Sequence, residues 1–132
     1  MSRRRQPPSD RGQASVELAL LLPVVLLLLL AVLQVGLLAR DVVLVTHAAR
    51  EAARAAATDP EPAVARSAAL VSSGLDPARV EVTTTITGDG TTGRRVRIDV
   101  AYRAPTVVPL VGALLADRTI RTSATMRVEV PP

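Results

Sequence analysis

The chain has almost no aromatic residues and no cysteine, and both absences limit what it can be. Of its 132 residues one is Tyr, and none is Phe, Trp or Cys. Without cysteine there is neither a disulfide nor a thiolate metal site. Cysteine usage therefore does not indicate whether the protein resides in an oxidising or a reducing compartment. Without large rings, any water-soluble core must be built from Val, Ile, Leu and Ala. Such a core is thin, and we expect it to be supported by a membrane or by neighbouring subunits.

Lysine is absent too, since all 16 basic residues are Arg. We interpret this as a compositional bias. The formal net charge of +4 would suit a nucleic-acid partner, but the charge is unevenly spread. Residues 1–12 contain four Arg and one Asp, a net of +3, which leaves +1 for the remaining chain. We therefore expect no nucleic-acid partner.

Residue patterns for catalysis are missing as well. One histidine, His47, and no cysteine exclude most nucleophile–base pairs and the usual zinc sites. The glycine-rich stretch at residues 88–93 lacks the Lys and the following helix of a phosphate-binding loop, and it predicts a hairpin turn. We therefore expect neither an enzyme nor a bound cofactor or metal.

The chain does contain one long apolar run. Residues 18–39 carry no charge, and Gln34 is their only clearly polar side chain. As an α-helix these residues would be about 33 Å long, enough to cross a hydrocarbon core of about 30 Å. They predict a single transmembrane helix, in which Pro23 should produce a kink or a local loosening. For Gln34, a hydrogen bond to a neighbouring helix and an interfacial position both remain open.

The segment before this run is short and basic. Residues 1–12 read MSRRRQPPSDRG, and Pro7, Pro8 and Gly12 predict a flexible, non-helical leader. Four arginines ahead of the span favour a cytoplasmic N-terminus and an extracytoplasmic C-terminal domain. A secretory signal peptide is the alternative, although the run is longer than usual and no typical small-residue cleavage site closes it.

The junction between leader and span has a pattern of its own. Glu17 is the fifth residue after Gly12, so cleavage after Gly12 would place Glu17 about one helical turn from a new amino group on Gln13. This junction resembles the class III signal sequences of the type IV pilin superfamily. Together with Leu22-Pro23, the residues 34–36 and the Ala/Arg-rich residues 47–57, it most resembles the TadE-like family of tight-adherence (Flp-type) pilus systems. The resemblance extends over about the first 58 residues.

The resemblance implies a membrane-anchored pilus-assembly protein, either a minor pseudopilin or an accessory subunit, with a part in cell adhesion. It implies that a prepilin peptidase cuts between Gly12 and Gln13, and that Glu17 pairs with the Gln13 amino group of a neighbouring subunit to set axial register. Its partners would be membrane lipid, the peptidase, other pilin-like subunits and the assembly machinery. The alternative is an unprocessed, membrane-anchored extracytoplasmic binding module with an unknown partner.

Beyond the span, the helical pattern continues to Thr58, so residues 13–58 form the transmembrane helix and its extension. One face of this extension is polar, and the other is apolar and rich in alanine: His47, Arg50, Glu51, Arg54 and Thr58 against Val45, Ala48, Ala49, Ala52, Ala53 and Ala56. A second helix is predicted from the N-cap Asp59, with Pro60 at its first position, to Ser73 before Gly74. Its apolar face would consist of Val64, Ala68 and Val71.

From residue 79 onward the apolar period becomes two, which predicts strands. Alternation over residues 80–86, 96–102 and 118–130 predicts a three-stranded antiparallel sheet with one buried face. The exposed face of the second strand would carry Arg95, Arg97 and Arg103. Residues 104–117 predict a loop that caps the core, with contact to the membrane or to a partner as the alternative. Residues 59–132 thus form a small domain, and the fold class is α+β, a long N-terminal transmembrane helix continuing into a pilin-like domain.

Overall fold

A computed structural model shows a long helix with a short helix and a small sheet packed along its second half. The structure describes residues 10–88, 93–107 and 118–129. The elements are two helices and three strands: α1 (Asp10–Thr58), α2 (Pro62–Ser73), β1 (Val80–Thr87), β2 (Arg95–Ala104) and β3 (Arg118–Arg127). The predicted α+β class, with its long apolar helix, short second helix and three-stranded antiparallel sheet, is confirmed.

Helix α1 has 49 residues and is assigned as α-helix without interruption through Pro23. It begins at Asp10, so the predicted non-helical leader is wrong for its last three residues, and residues 1–9 lie outside the described part of the chain. A glycine inside a helix costs only about 1 kcal/mol, too little for Gly12 to end it. The kink at Pro23 stays a prediction.

The alanine-rich face of α1 is buried, as its spacing predicts. Val45 and five alanines on this face are at most 1% exposed: Ala48, Ala49, Ala52, Ala53 and Ala56. Because these side chains are small, α2 and the sheet approach the helix backbone closely. The polar face points outward, and Glu51 there lies 3.9 Å from Arg54 in an exposed ion pair, which adds little stability.

Helix α2 begins later than predicted. Its N-cap is Glu61, and Pro62 is its first residue, so the predicted cap at Asp59 with Pro60 as the first helical residue is wrong. A proline disfavours the helical conformation in the residue before it, so Pro62 holds Glu61 extended and the helix can start only after it. The Asp59 carboxylate instead accepts a hydrogen bond from the Glu61 N–H at 3.2 Å. The predicted stop is confirmed, since Gly74 caps the helix with a left-handed φ of 63°.

The buried face of α2 also differs from the prediction. Ala65, Ala69 and Ser73 are buried, whereas Val71 is 84% exposed. Against the alanine-rich face of α1, only small side chains allow the two helices to approach. Val71, which the sequence pattern placed in the core, is therefore turned away from it, and Val64 is only half-buried.

The sheet has the order β1-β2-β3, and both strand pairs are antiparallel. In β2 the predicted inward residues are all buried: Val96, Ile98, Val100 and Tyr102. Ile98, which is 0% exposed, faces Thr84 on β1 and Ala124 on β3. Strand β3 ends at Arg127, before the predicted end at Val130, which lies outside the described residues.

The sheet lies lengthwise along the second half of α1. At one end, the backbone N–H of Glu129, just after β3, donates a 2.9 Å hydrogen bond to the carbonyl of Ala57. At the other end, where β2 ends and β3 begins, Ala104 and Arg118 lie beside Gln34. The domain therefore covers α1 from about Gln34 to Ala57, and it leaves the first half of the helix free.

Candidate functional site

The first half of α1 is an apolar surface that the rest of the protein does not cover. Its large side chains from Val16 to Leu33 are 45–70% exposed, except for the half-buried Leu30, and none of its most apolar 18-residue window is buried. Burying one leucine side chain is worth about 1.5–3 kcal/mol, so exposing this whole stretch to water would cost tens of kcal/mol. A core helix of a soluble protein would be covered by its own chain. This helix therefore indicates a single-pass membrane anchor.

Gln34 marks the point at which the free surface ends. It is only 7% exposed, and it lines a small cavity of about 50 Å³ with Leu38, Thr106 and Arg118. The domain of the same chain explains the burial of Gln34, so no neighbouring helix is needed for it. The position of Gln34 at the edge of that domain nearest the free half of α1 agrees with the interfacial interpretation.

This edge of the domain overlaps the apolar run that the sequence predicts as the membrane span. The sequence alone placed the span at residues 18–39, but the half-buried Leu38 already packs against the core of the domain. The free stretch from Gln13 to Leu33 would measure about 31 Å, which matches a hydrocarbon core of about 30 Å. The domain thus begins to cover one face of α1 about five residues before the apolar run ends.

The residues singled out for processing and register lie at the far end of this stretch. Gly12, Gln13 and Glu17 are all within α1, and the side chain of Glu17 is exposed. Glu17 is about 25 Å from Gln34 along the helix axis, close to the opposite boundary of the hydrocarbon layer. A carboxylate there is less unfavourable than at the bilayer centre. The cleavage and register roles themselves concern other molecules and stay predictions.

Gly12 has no structural task in the folded chain. A Cβ atom built at this position meets no other heavy atom within 4 Å, and the same holds for Gly36 further along the helix. Neither glycine has a left-handed φ, because both lie in regular helix. A side chain at position 12 would therefore leave the helix intact, so a requirement for Gly12 would have to come from a binding partner.

A titratable pair that the sequence analysis did not single out lies where the domain meets α1. Asp41 is half-buried on the face of the helix that packs against the sheet, near Tyr102. Burial raises the pKa of Asp41, and the adjacent Arg40 partly opposes this. Burial also raises the pKa of the Tyr102 hydroxyl, and the charge of Asp41 raises it further. The only sequence signal was the position of Asp41 one turn before the buried Val45.

Replacing Asp41 with Asn should stabilise the domain at neutral pH. Because the pKa of Asp41 is raised in the folded state, its ionised form is less favourable there than in the unfolded chain. The penalty is full above the folded pKa and disappears below the ordinary value of 3.8. We expect the variant, purified in detergent, to melt a few degrees higher than wild type at pH 7 and at the same temperature below pH 3.8.

The control for this experiment is Asp76→Asn. Asp76 is about half exposed and lies 3.5 Å from Arg79 in an ion pair, so its removal should not raise the melting temperature. A gain in melting temperature of the Asp41 variant that is larger in acid than at pH 7 would contradict a raised pKa of Asp41 in the folded state.

The outer face of the sheet is polar, and its predicted arginines are exposed: Arg95, Arg97 and Arg103. Arg97 donates hydrogen bonds of 3.1–3.2 Å to both carboxylate oxygens of Asp99, and these bonds raise the pKa of Arg97. The open groove beside this pair, about 460 Å³, also contains Glu81 and Arg121. Charges of both signs alternate there, which is typical of a solvated sheet face.

Among the residues that the structure describes, no group of His, Asp and Glu side chains could hold a metal ion.

An exposed apolar helix that continues into an alanine-rich helix, with a small sheet packed against it, defines a membrane-anchored α+β protein. The family model described as TadE-like protein matches residues 12–54. The match begins at Gly12 and ends within the alanine-rich half of α1, and it covers about a third of the chain. It confirms the TadE-like resemblance of this segment and relates the chain to pilus assembly. No curated protein and no solved structure matches the chain.

Proposed function

We propose that this protein is a TadE-like subunit of a tight-adherence (Flp) pilus system, either a minor pseudopilin or an accessory assembly subunit. Its role is structural. The strongest support is the family match to residues 12–54, which combines the Gly12–Glu17 spacing with the exposed apolar helix. Helix α1 anchors the protein in the membrane with its N-terminus in the cytoplasm, and the domain of residues 59–132 lies outside.

In this proposal a prepilin peptidase removes residues 1–12 and leaves α1 attached to its domain. Gly12 lies only two residues from the start of the helix, and glycine weakens a helix locally. Opening this first turn for the peptidase therefore costs little. The new chain would begin at Gln13, with its amino group one turn from Glu17.

The free amino group and Glu17 then give neighbouring subunits a way to align. A carboxylate without a partner is unfavourable in a medium of low dielectric constant, and it is stabilised when a cation comes within hydrogen-bonding distance. The exposed Glu17 side chain is available to another helix. Only one axial offset brings the Gln13 amino group of one subunit to the carboxylate of the next, so the pair selects a register.

The mature N-terminus tests this function. In cells that contain the cognate peptidase, we expect intact-mass spectrometry to find a chain that begins at Gln13. Gly12→Leu should keep residues 1–12, because the peptidase requires a small residue there, while the helix tolerates the side chain. Gly36→Leu is the matched control, since that glycine also has open space around it and should leave cleavage unchanged.

The other outcomes of this measurement are equally specific. An intact leader on the wild-type chain would reject processing and would favour an unprocessed, membrane-anchored binding module. A chain that begins near Arg40 or later would indicate ordinary secretion and would reject both proposals.

A further inference from the structure

We propose that the domain rests directly on the lipid leaflet from which α1 emerges, and that Arg118 there binds phospholipid phosphate groups. The contact surface is the membrane-proximal edge, which we define as Gln34, Leu38, Thr106, Val107 and Arg118. This inference goes beyond a role in pilus assembly. It depends only on α1 being a membrane span, so it can hold or fail independently of cleavage at Gly12.

The topology places this edge at one end of the sheet. Strands β2 and β3 are antiparallel, and Ala104, the last residue of β2, pairs with Arg118, the first residue of β3. Both lie against Gln34 and Leu38 of α1, around the small cavity. The opposite end of the sheet is fixed to Ala57, near the end of α1.

The depth of the edge follows from the exposed surface of α1. The domain begins to cover one face of α1 at Gln34, which is 7% exposed, while Val35 on another face is still 65% exposed. Between Leu18 and Gln34 the helix carries no clearly polar side chain, so no polar stretch separates its apolar surface from the domain. When residues 13–33 fill the hydrocarbon layer, the membrane-proximal edge therefore lies at the level of the lipid headgroups.

The side chains at the edge suit that level. Val107 is 66% exposed, and Arg118, which lines the small cavity together with Thr106, is exposed too. A guanidinium group forms paired hydrogen bonds with phosphate oxygens, while an apolar side chain favours the adjoining acyl region. The edge is continuous with the membrane-facing surface of α1, and lipid is the partner that any membrane-inserted copy has at this position. Lipid is therefore favoured over a second copy of the chain.

The absence of cysteine allows a direct depth measurement on the full-length protein. We would label Val107→Cys with the fluorophore NBD and reconstitute it in vesicles of phosphatidylcholine and phosphatidylglycerol that carry a nitroxide on their headgroups. Quencher in both leaflets makes the result independent of protein orientation. The matched site is Thr125→Cys on β3, which lies seven residues or about 23 Å along the strand from Arg118, toward the opposite end of the sheet.

We expect quenching at position 107 to exceed that at position 125 by at least twofold. Arg118→Glu should reduce quenching at position 107, and the neutral Arg118→Gln should reduce it less. Arg127→Glu, at the other end of β3, should leave it unchanged. The circular dichroism spectrum of each variant must match that of the parent, and if Arg118→Glu unfolds the domain, Arg118→Gln alone decides the question.

Three outcomes would overturn the proposal. Equal quenching at positions 107 and 125 would show that the domain is not seated on the bilayer at this edge. Quenching that is insensitive to charge at position 118 would reject Arg118 as the phosphate ligand. Quenching at position 107 that increases when the protein is diluted in the bilayer would assign the edge to a second copy of the chain, because that copy would shield the fluorophore from lipid at high protein density.

Discussion

Replacement of Glu17 with Ala is expected to reduce incorporation into filaments at least tenfold while the protein remains in the membrane. Insertion should not suffer, because the variant removes a carboxylate from the edge of the hydrocarbon layer. Assembly should suffer, because the Gln13 amino group of each neighbouring subunit loses its partner. Tenfold corresponds to about 1.4 kcal/mol, within the range of a polar interaction between membrane helices.

The measurement compares the variant in sheared filament fractions and in membrane fractions, both quantified by immunoblot. Glu51→Ala is the matched control on the same helix. Glu51 lies above the span in an exposed ion pair with Arg54, and its loss should leave assembly unchanged. Unreduced incorporation of the Glu17 variant would reject the register role, and an equal loss in the Glu51 variant would show that the effect is not specific to position 17.

Ile98→Ala is expected to destabilise the domain by about 2–5 kcal/mol. Ile98 is the largest fully buried side chain and occupies the middle of the central strand. Its cross-strand neighbours, Thr84 and Ala124, are small and attached to a hydrogen-bonded sheet, so they cannot close the cavity that the substitution leaves. The loss would be a large fraction of the 5–15 kcal/mol that stabilises a typical domain.

Ile86→Ala is the matched control for this experiment, since it removes the same atoms from the same inner face of the sheet. Ile86 is 41% exposed near the end of the edge strand β1, and its replacement should cost less than about 1 kcal/mol. Urea unfolding of the full chain in detergent can be followed through the fluorescence of Tyr102, the only aromatic side chain. Equal losses in the two variants would show that Ile98 is not the centre of the core.

Several features were predictable because they repeat within a single element. The alternation of Val96, Ile98 and Val100 indicates one buried face whichever strands lie beside β2. The alanine-rich face of α1 is recognised in the same way, by its three- and four-residue spacing. Gly74 ends α2 through its own backbone freedom, so that prediction needed no knowledge of the rest of the fold.

Other features depend on what a residue meets across an interface. Val71 of α2 was predicted on the buried face because of its spacing, but it is exposed, and the buried residues of α2 are Ala65, Ala69 and Ser73. The burial of Asp41 follows from the position of β2 along α1. Both results depend on the distance between packed backbones, and no pattern within one segment records that distance.

The sequence by itself therefore determined that the chain has one apolar span, that a Gly12–Glu17 junction precedes it, and that a small α+β domain follows. These properties are local, since they depend on hydrophobicity, spacing and turn residues along the chain. Only the tertiary structure decided where the domain begins to cover α1, because Gln34 is buried by residues about 70 positions later in the chain. Packing of the β2–β3 end against α1 places Ala104 and Arg118 beside Gln34, and contacts between segments so far apart in the chain leave no pattern within either segment.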